Sequence, residues 1–165
     1  MDHHKFNEFL KIAKKLNETK IIPLLMGSVG LEVITNKSWH PQDLDIHVPG
    51  DQRGWEVPPE LSIHNWADVR KVMQSIGYRL IDLHEHAFLK EGLLVEFGIM
   101  DTLPHFAGVQ LEDLVMQHHG EVSYYLLRPE QYLSVYTASS KDSYRADQND
   151  NKDIRKIEFL EKIIH

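Results

Sequence analysis

Two short stretches hold the residues best suited to chemistry. Gly27-Ser28 follows an apolar run, and Asp43-Leu44-Asp45 lies inside another, with fourteen residues between Ser28 and Asp43. On a β-strand, residues two apart point to the same face. Asp43 and Asp45 then project side by side, with Leu44 and Ile46 turned to the opposite face. Like charges at that spacing repel, and burial sharpens the repulsion. A divalent cation reverses it: Mg²⁺ prefers carboxylate oxygens and usually shares its shell with substrate phosphates and water. Carboxylates on a rigid strand can hold two metals about 3.5–4 Å apart, a spacing suited to in-line displacement at phosphorus.

A third carboxylate commonly completes such a site. Glu96 interrupts the apolar pattern of "LLVEFGIM", sharing a strand face with Leu94 and Gly98, while Asp101 stands at or beyond the strand end. Gly27 lets backbone approach a ligand closely. Ser28, at the start of a helix, offers a hydroxyl and free N–H groups where a phosphate can bind. His47 lies one strand step beyond Asp45 on the same face, and His40 lies in the loop before the acids; both are candidates for substrate contact. His84 and His86 share a face if "HEH" is strand, a spacing that also suits a transition metal. His118-His119 reads as a cap near a helix C-terminus or as a surface pair. Trp39, Trp55 and Trp66 flank a long loop, where each either caps the core or stacks on a ring. Taken singly, the acidic pair also suits a solvated strand, and Gly-Ser an ordinary turn and helix cap.

The elements that must position these groups follow from periodicity. Phe6, Phe9, Leu10, Ala13 and Leu16 fall on one helical face. "IIPLLM" reads as a short strand with Pro23 at an edge or early position, then "SVGLEVIT" as a short helix and "DLDIHV" as a second strand. "PGDQRGWEVPPELS" reads as an exposed loop, and "NWADVRKVMQSIG" as a helix ending at Gly77. Three strands follow, "YRLIDL", "HAFLK" and "LLVEFGIM", the last two joined through a turn at Glu91-Gly92. "LEDLVMQHHG" suits a short helix and "EVSYYLL" a late strand or arm. Pro129 opens a helix, "YRADQNDN" is a polar linker, and a last helix carries Ile154, Ile157, Leu160 and Ile164 on one face. The expected fold is α+β, with a mixed sheet, flanking helices and two C-terminal helices.

Gly27-Ser28 followed by Asp43-Leu44-Asp45 resembles the signature of the nucleotidyltransferase-fold superfamily, the DNA polymerase β-like proteins. That pattern is an apolar residue, Gly, Gly or Ser, and a later strand with two acids one residue apart. Glu96 falls where the family places a third acid, usually Asp, and the gap before the acidic pair is at the long end. The resemblance runs from about Lys20 to Met100. The tail, "KDSYRADQNDNKDIRKIEFL", resembles the ending of small members near the antibiotic (lincosamide and aminoglycoside) and toxin–antitoxin nucleotidyltransferases.

The resemblance implies one nucleotidyltransferase-like domain over residues 1–165, with a core at about 18–128 and a helical part at about 129–165. It implies that Asp43, Asp45 and Glu96 bind Mg²⁺ or Mn²⁺ and carry catalysis, Glu96 as metal ligand or general base. Gly27 and Ser28 face the NTP phosphates, Lys141 or Lys152 faces the triphosphate, and Asp153 starts a helix. A nucleoside monophosphate then moves from NTP to an acceptor hydroxyl and pyrophosphate leaves. The acceptor is a small molecule, a protein or an RNA end. The alternative is a non-catalytic nucleotidyltransferase-like module that binds or regulates, as an antitoxin does. With little room for an acceptor domain, the long loop and C-terminal helices shape that pocket, alone or with a second subunit in a homodimer.

Composition bounds these readings. The chain has 165 residues, 42% hydrophobic and 26% charged, with net charge −7, which disfavours broad nucleic-acid binding. It has no cysteine, so disulfides and thiolate zinc sites are excluded and a reducing cytoplasm fits. No secretory leader and no apolar run near the roughly 20 residues of a membrane span is present.

Overall fold

A computed structural model describes residues 3–141 and 152–165, the side chain of Lys152 excepted. The polar linker "YRADQNDN" lies outside the described residues. The chain opens with α1 (His4–Glu18), whose stripe of Phe9, Ile12, Ala13 and Leu16 is wholly buried. β1 (Leu24–Met26), α2 (Gly27–Thr35) and β2 (Leu44–Val48) follow. Next come α3 (Pro59–Ser62), α4 (Trp66–Ser75), β3 (Arg79–Asp82), β4 (Ala87–Lys90) and β5 (Leu93–Ile99). The remainder is α5 (Leu103–Ala107), β6 (Val115–His119), β7 (Val122–Leu126), α6 (Pro129–Ser140) and α7 (Lys152–Ile164).

The strands form one mixed sheet in the order β3-β4-β5-β2-β1-β7-β6. β2 runs parallel to β5 and β1 parallel to β7, while the other neighbours are antiparallel. Alternation along β2 and β5 separates their faces. Leu44, Ile46, Val48, Val95, Phe97 and Ile99 are buried among the core residues of α1 and α4. The opposite face carries Asp45, His47, Glu96 and Gly98, and is flanked by a second core built from Leu24, Met26, Leu31, Tyr132, Tyr136 and Leu160. Tyr132 donates its hydroxyl to the Leu25 carbonyl at 2.9 Å, fastening α6 to β1. Asn17 donates to the Ser123 carbonyl at 3.1 Å and accepts from its N–H at 2.8 Å, fastening α1 to β7. No helix among the described residues is long and apolar enough to cross a membrane.

Several local expectations need correction. "LEDLVMQHHG" is a 3₁₀ turn at Leu111–Asp113 followed by β6, not a helix. β6 gains ladder hydrogen bonds from β7 that a helix there would forgo, and Gly120, at φ +62°, makes the turn between them. His118-His119 therefore ends a strand rather than capping a helix. His84 and His86 do not share a strand face: both lie in the β3–β4 turn, His84 exposed and His86 buried at φ +49°. His86 Nε2 lies 2.7 Å from the Pro59 carbonyl, and its ring packs edge-on to Trp66. The segment after β2 is not simply exposed. Gly54 is buried, and the excursion is closed by Asp51 N–H to the Ser62 carbonyl and Gly50 N–H to Asp101 Oδ1. Pro23 stands just before a central strand, where its carbonyl accepts from the Tyr125 N–H at 2.8 Å. In α7 Leu160 is buried, but Ile154 is 45% exposed and leaves the apolar face.

Candidate active site

β1 delivers the chain directly to the acids. Met26 is paired with Asp45 across the β1–β2 ladder, and the next residue is Gly27. Gly27 has φ +66°, and a Cβ there would sit 3.1 Å from Asp45 Cβ. Both the backbone conformation and the close approach call for glycine. Ser28 follows in the first turn of α2, where the leading N–H groups lack helical partners. Its Oγ accepts from Lys156 Nζ at 2.9 Å.

Asp43 immediately precedes β2, and Asp45 is paired with Glu96 in the parallel β2–β5 register. All three carboxylates line one cleft of about 920 Å³ together with Gly27 and Ser28. The opposing wall comes from the 37–42 loop and from Arg155, Lys156, Glu158, Phe159 and Lys162 of α7. Electrostatics register how close the acids are. Burial, then the charges of Asp45 and Asp43, push the Glu96 carboxyl up to about 7. Burial and the Asp45 charge also raise Asp43.

His47 stands behind Asp45, with Nε2 3.8 Å from Asp45 Oδ1 and Nδ1 buried without a hydrogen-bond partner. Its ring lies over Gly98, where any Cβ would overlap it. Burial lowers its pKa against the pull of Asp45, so the ring is neutral at pH 7. It does not line the cleft, whereas His40, at φ +50°, does.

The donor set suits a hard divalent cation: oxygen ligands only, two of them with pKa values raised by burial and then by neighbouring acid charge, the second of which a cation would relieve. Among the described residues, no three His, Asp or Glu side chains stand close enough together to hold a metal ion between them. Mg²⁺ does not require three, since it commonly takes one or two carboxylates and completes its shell with phosphate and water.

The other sequence candidates scatter. Lys141 lines a separate hollow with Phe106, Leu133 and Thr137, away from the acids. Lys152 opens α7, its side chain outside the described residues, and Asp153 is buried in the first turn. Asp101 serves the backbone of Gly50 and does not line the cleft. Of the tryptophans only Trp39 reaches the cleft; Trp66 packs on Phe88, and Trp55 is 88% exposed. What sequence reasoning missed is the cationic wall, Lys37, Lys156 and Lys162, with Phe159. The signal was present in the spacing of Arg155, Lys156, Phe159 and Lys162, which share a helical face beside the apolar stripe.

No protein-family profile matches the chain. In three dimensions it is similar to the crystal structure of an antigenic nucleotidyltransferase-like protein from Paracoccidioides brasiliensis, with a TM-score of 0.61 and 15% identity. That likeness covers 97% of this chain and 77% of the other. The seven-stranded mixed sheet with its flanking helices is thus a nucleotidyltransferase fold. In sequence the chain is 37% identical over 160 residues to the uncharacterized protein YnaI of Bacillus subtilis (strain 168), spanning 96% of this chain and 97% of YnaI. It belongs to the YnaI family.

Proposed function

We propose that the protein is a divalent-metal-dependent nucleotidyltransferase that moves a nucleoside monophosphate from an NTP to an acceptor hydroxyl and releases pyrophosphate. The observation that carries this reading is the convergence of Gly27-Ser28, Asp43, Asp45 and Glu96 in one cleft faced by cations. Asp43 and Asp45, with Glu96, are the residues to hold Mg²⁺ or Mn²⁺, which when bound neutralises phosphate charge and polarises the reacting phosphorus. Ser28 and the first amides of α2 hold phosphate oxygens, and Lys156, already bonded to Ser28, adds positive charge there. In this reading Glu96 either shares in holding the metal or takes the acceptor hydroxyl proton as general base. The hydroxyl oxygen bonds to the α-phosphorus as the bond to pyrophosphate breaks.

The test is pyrophosphate release with each NTP and pooled acceptors, beside Asp45→Asn. Activity in the parent that the variant lacks supports the reading, and equal signals refute catalysis at this site. A second reading, a nucleotide-binding module without turnover, draws on the open spacing of the acids. Calorimetric NTP binding that survives Asp43→Asn and Asp45→Asn, with no pyrophosphate released, would select it.

A further inference from the structure

The cleft has two chemically different ends. At one, Lys156 is bonded to Ser28 beside the acids. At the other, the 37–42 loop meets α7: Trp39 packs edge-on to Phe159 at 5.3 Å, and the Lys37 ammonium lies 4.4 Å from the Trp39 ring centre and 4.5 Å from that of Phe159. The loop is fixed there. Trp39 N–H donates to Glu32 Oε2 at 2.8 Å, and its indole N–H donates to Thr35 Oγ1 at 3.2 Å. Aromatic faces hold an ammonium in place without neutralising it. None of the ion pairs among the described residues involves Lys37, Arg155 or Lys162; Glu158 lines this wall, and Glu32 stands behind it, accepting from the Trp39 N–H. Along α7, Lys156 and Lys162 are about 9 Å apart at 1.5 Å per residue. Phe159, which carries Lys37, stands about 4.5 Å along α7 from Lys156, and Lys162 as far again; a triphosphate anchored at Ser28 and Lys156 leaves Lys37 and Lys162 for something else.

We propose that this end of the cleft binds the acceptor, and that the acceptor is a small molecule carrying a carboxylate or phosphate near its reactive hydroxyl. The inference rests on the nucleotidyltransferase reading and adds the substrate class. A polycationic acceptor would meet like charges at the mouth, and such juxtaposition selects against a partner. An RNA end would supply phosphates, but a chain of net charge −7 lacks the broad basic surface that holds nucleic acid. A small anion needs only the local cluster.

The experiment uses the whole protein with Mg²⁺ and a non-hydrolysable NTP analogue. Analogue binding is measured first by calorimetry; if the parent does not bind it, the nucleotidyltransferase reading fails and this inference falls with it. The loaded protein is then titrated with inorganic phosphate, citrate and a triamino sugar. Phosphate or citrate should bind saturably and the amine should not. Lys37→Met should weaken anion binding about tenfold or more, Lys37→Arg should restore it, and analogue affinity should stay within about twofold in both. No anion binding to the loaded protein, tighter binding of the amine, or a tenfold loss of analogue affinity in Lys37→Met would each overturn the assignment.

Discussion

At the scale of single residues, the acids are coupled and Gly27 is wedged against them. On the proposed reading, Asp45→Asn should lower pyrophosphate release by at least about 100-fold, because it removes a carboxylate that would hold the metal. Gly27→Ala places a side chain in the left-handed region 3.1 Å from Asp45 Cβ. Strain of about 1–2 kcal/mol is expected, read by urea denaturation, together with weakened Mn²⁺ binding as Asp45 shifts. For Glu96 the sign of the pH effect follows from its raised pKa. The folded state holds its proton up to about pH 7, while the unfolded chain loses it near 4.5. Stability from this group is therefore complete below pH 4.5 and declines as pH rises toward 7. In metal-free buffer, Glu96→Gln should melt above the parent at pH 8 and with it below pH 4.5, and added Mg²⁺ should narrow the gap. That Asp43, Asp45 and Glu96 line one cleft was legible in the sequence because strand alternation is local: Asp45 and Glu96 alternate with buried apolar neighbours, and Asp43 stands two residues before Asp45. Lys156 was not, since the partner that gives it meaning, Ser28, lies 128 residues away.

At the scale of elements, the cleft depends on how α7 docks. Leu160 is fully buried in the core beside α6. Leu160→Ala should cost about 2–5 kcal/mol and loosen α7 before the sheet, seen in a Trp55→Phe background as altered tryptophan emission at denaturant levels where far-ultraviolet strand signal persists. The helices with long stripes, α1 and α4, were legible from sequence, as was the Glu91-Gly92 turn, where both residues take positive φ. β6 was not. A five-residue segment with Val115 and Met116 at one end carries too little period to separate helix from strand, and only its pairing with β7 decides it. The β3–β4 turn failed for a similar reason. The position of His86 is set by Pro59 and Trp66, which arrive from another part of the chain.

At the scale of the whole molecule, a net charge of −7 coexists with a cleft wall of lysines and arginine. Screening shortens the reach of that wall to about 10 Å at 0.1 M salt and about 3 Å at 1 M. Anion binding to the nucleotide-loaded protein should fall several-fold across that range while the melting temperature changes little. The sheet order places β2 between β5 and β1, the strands that present Glu96 and lead into Gly27. Both edges of β2 are thus spent on hydrogen bonds to strands that serve the same cleft. The acids cannot be moved without tearing the middle of the sheet, but the loop at 37–42 and α7 can be rewritten without touching it. On the proposed reading, a chimera of two members of the family that exchanges only those two segments takes its acceptor from the donor and its chemistry from the host.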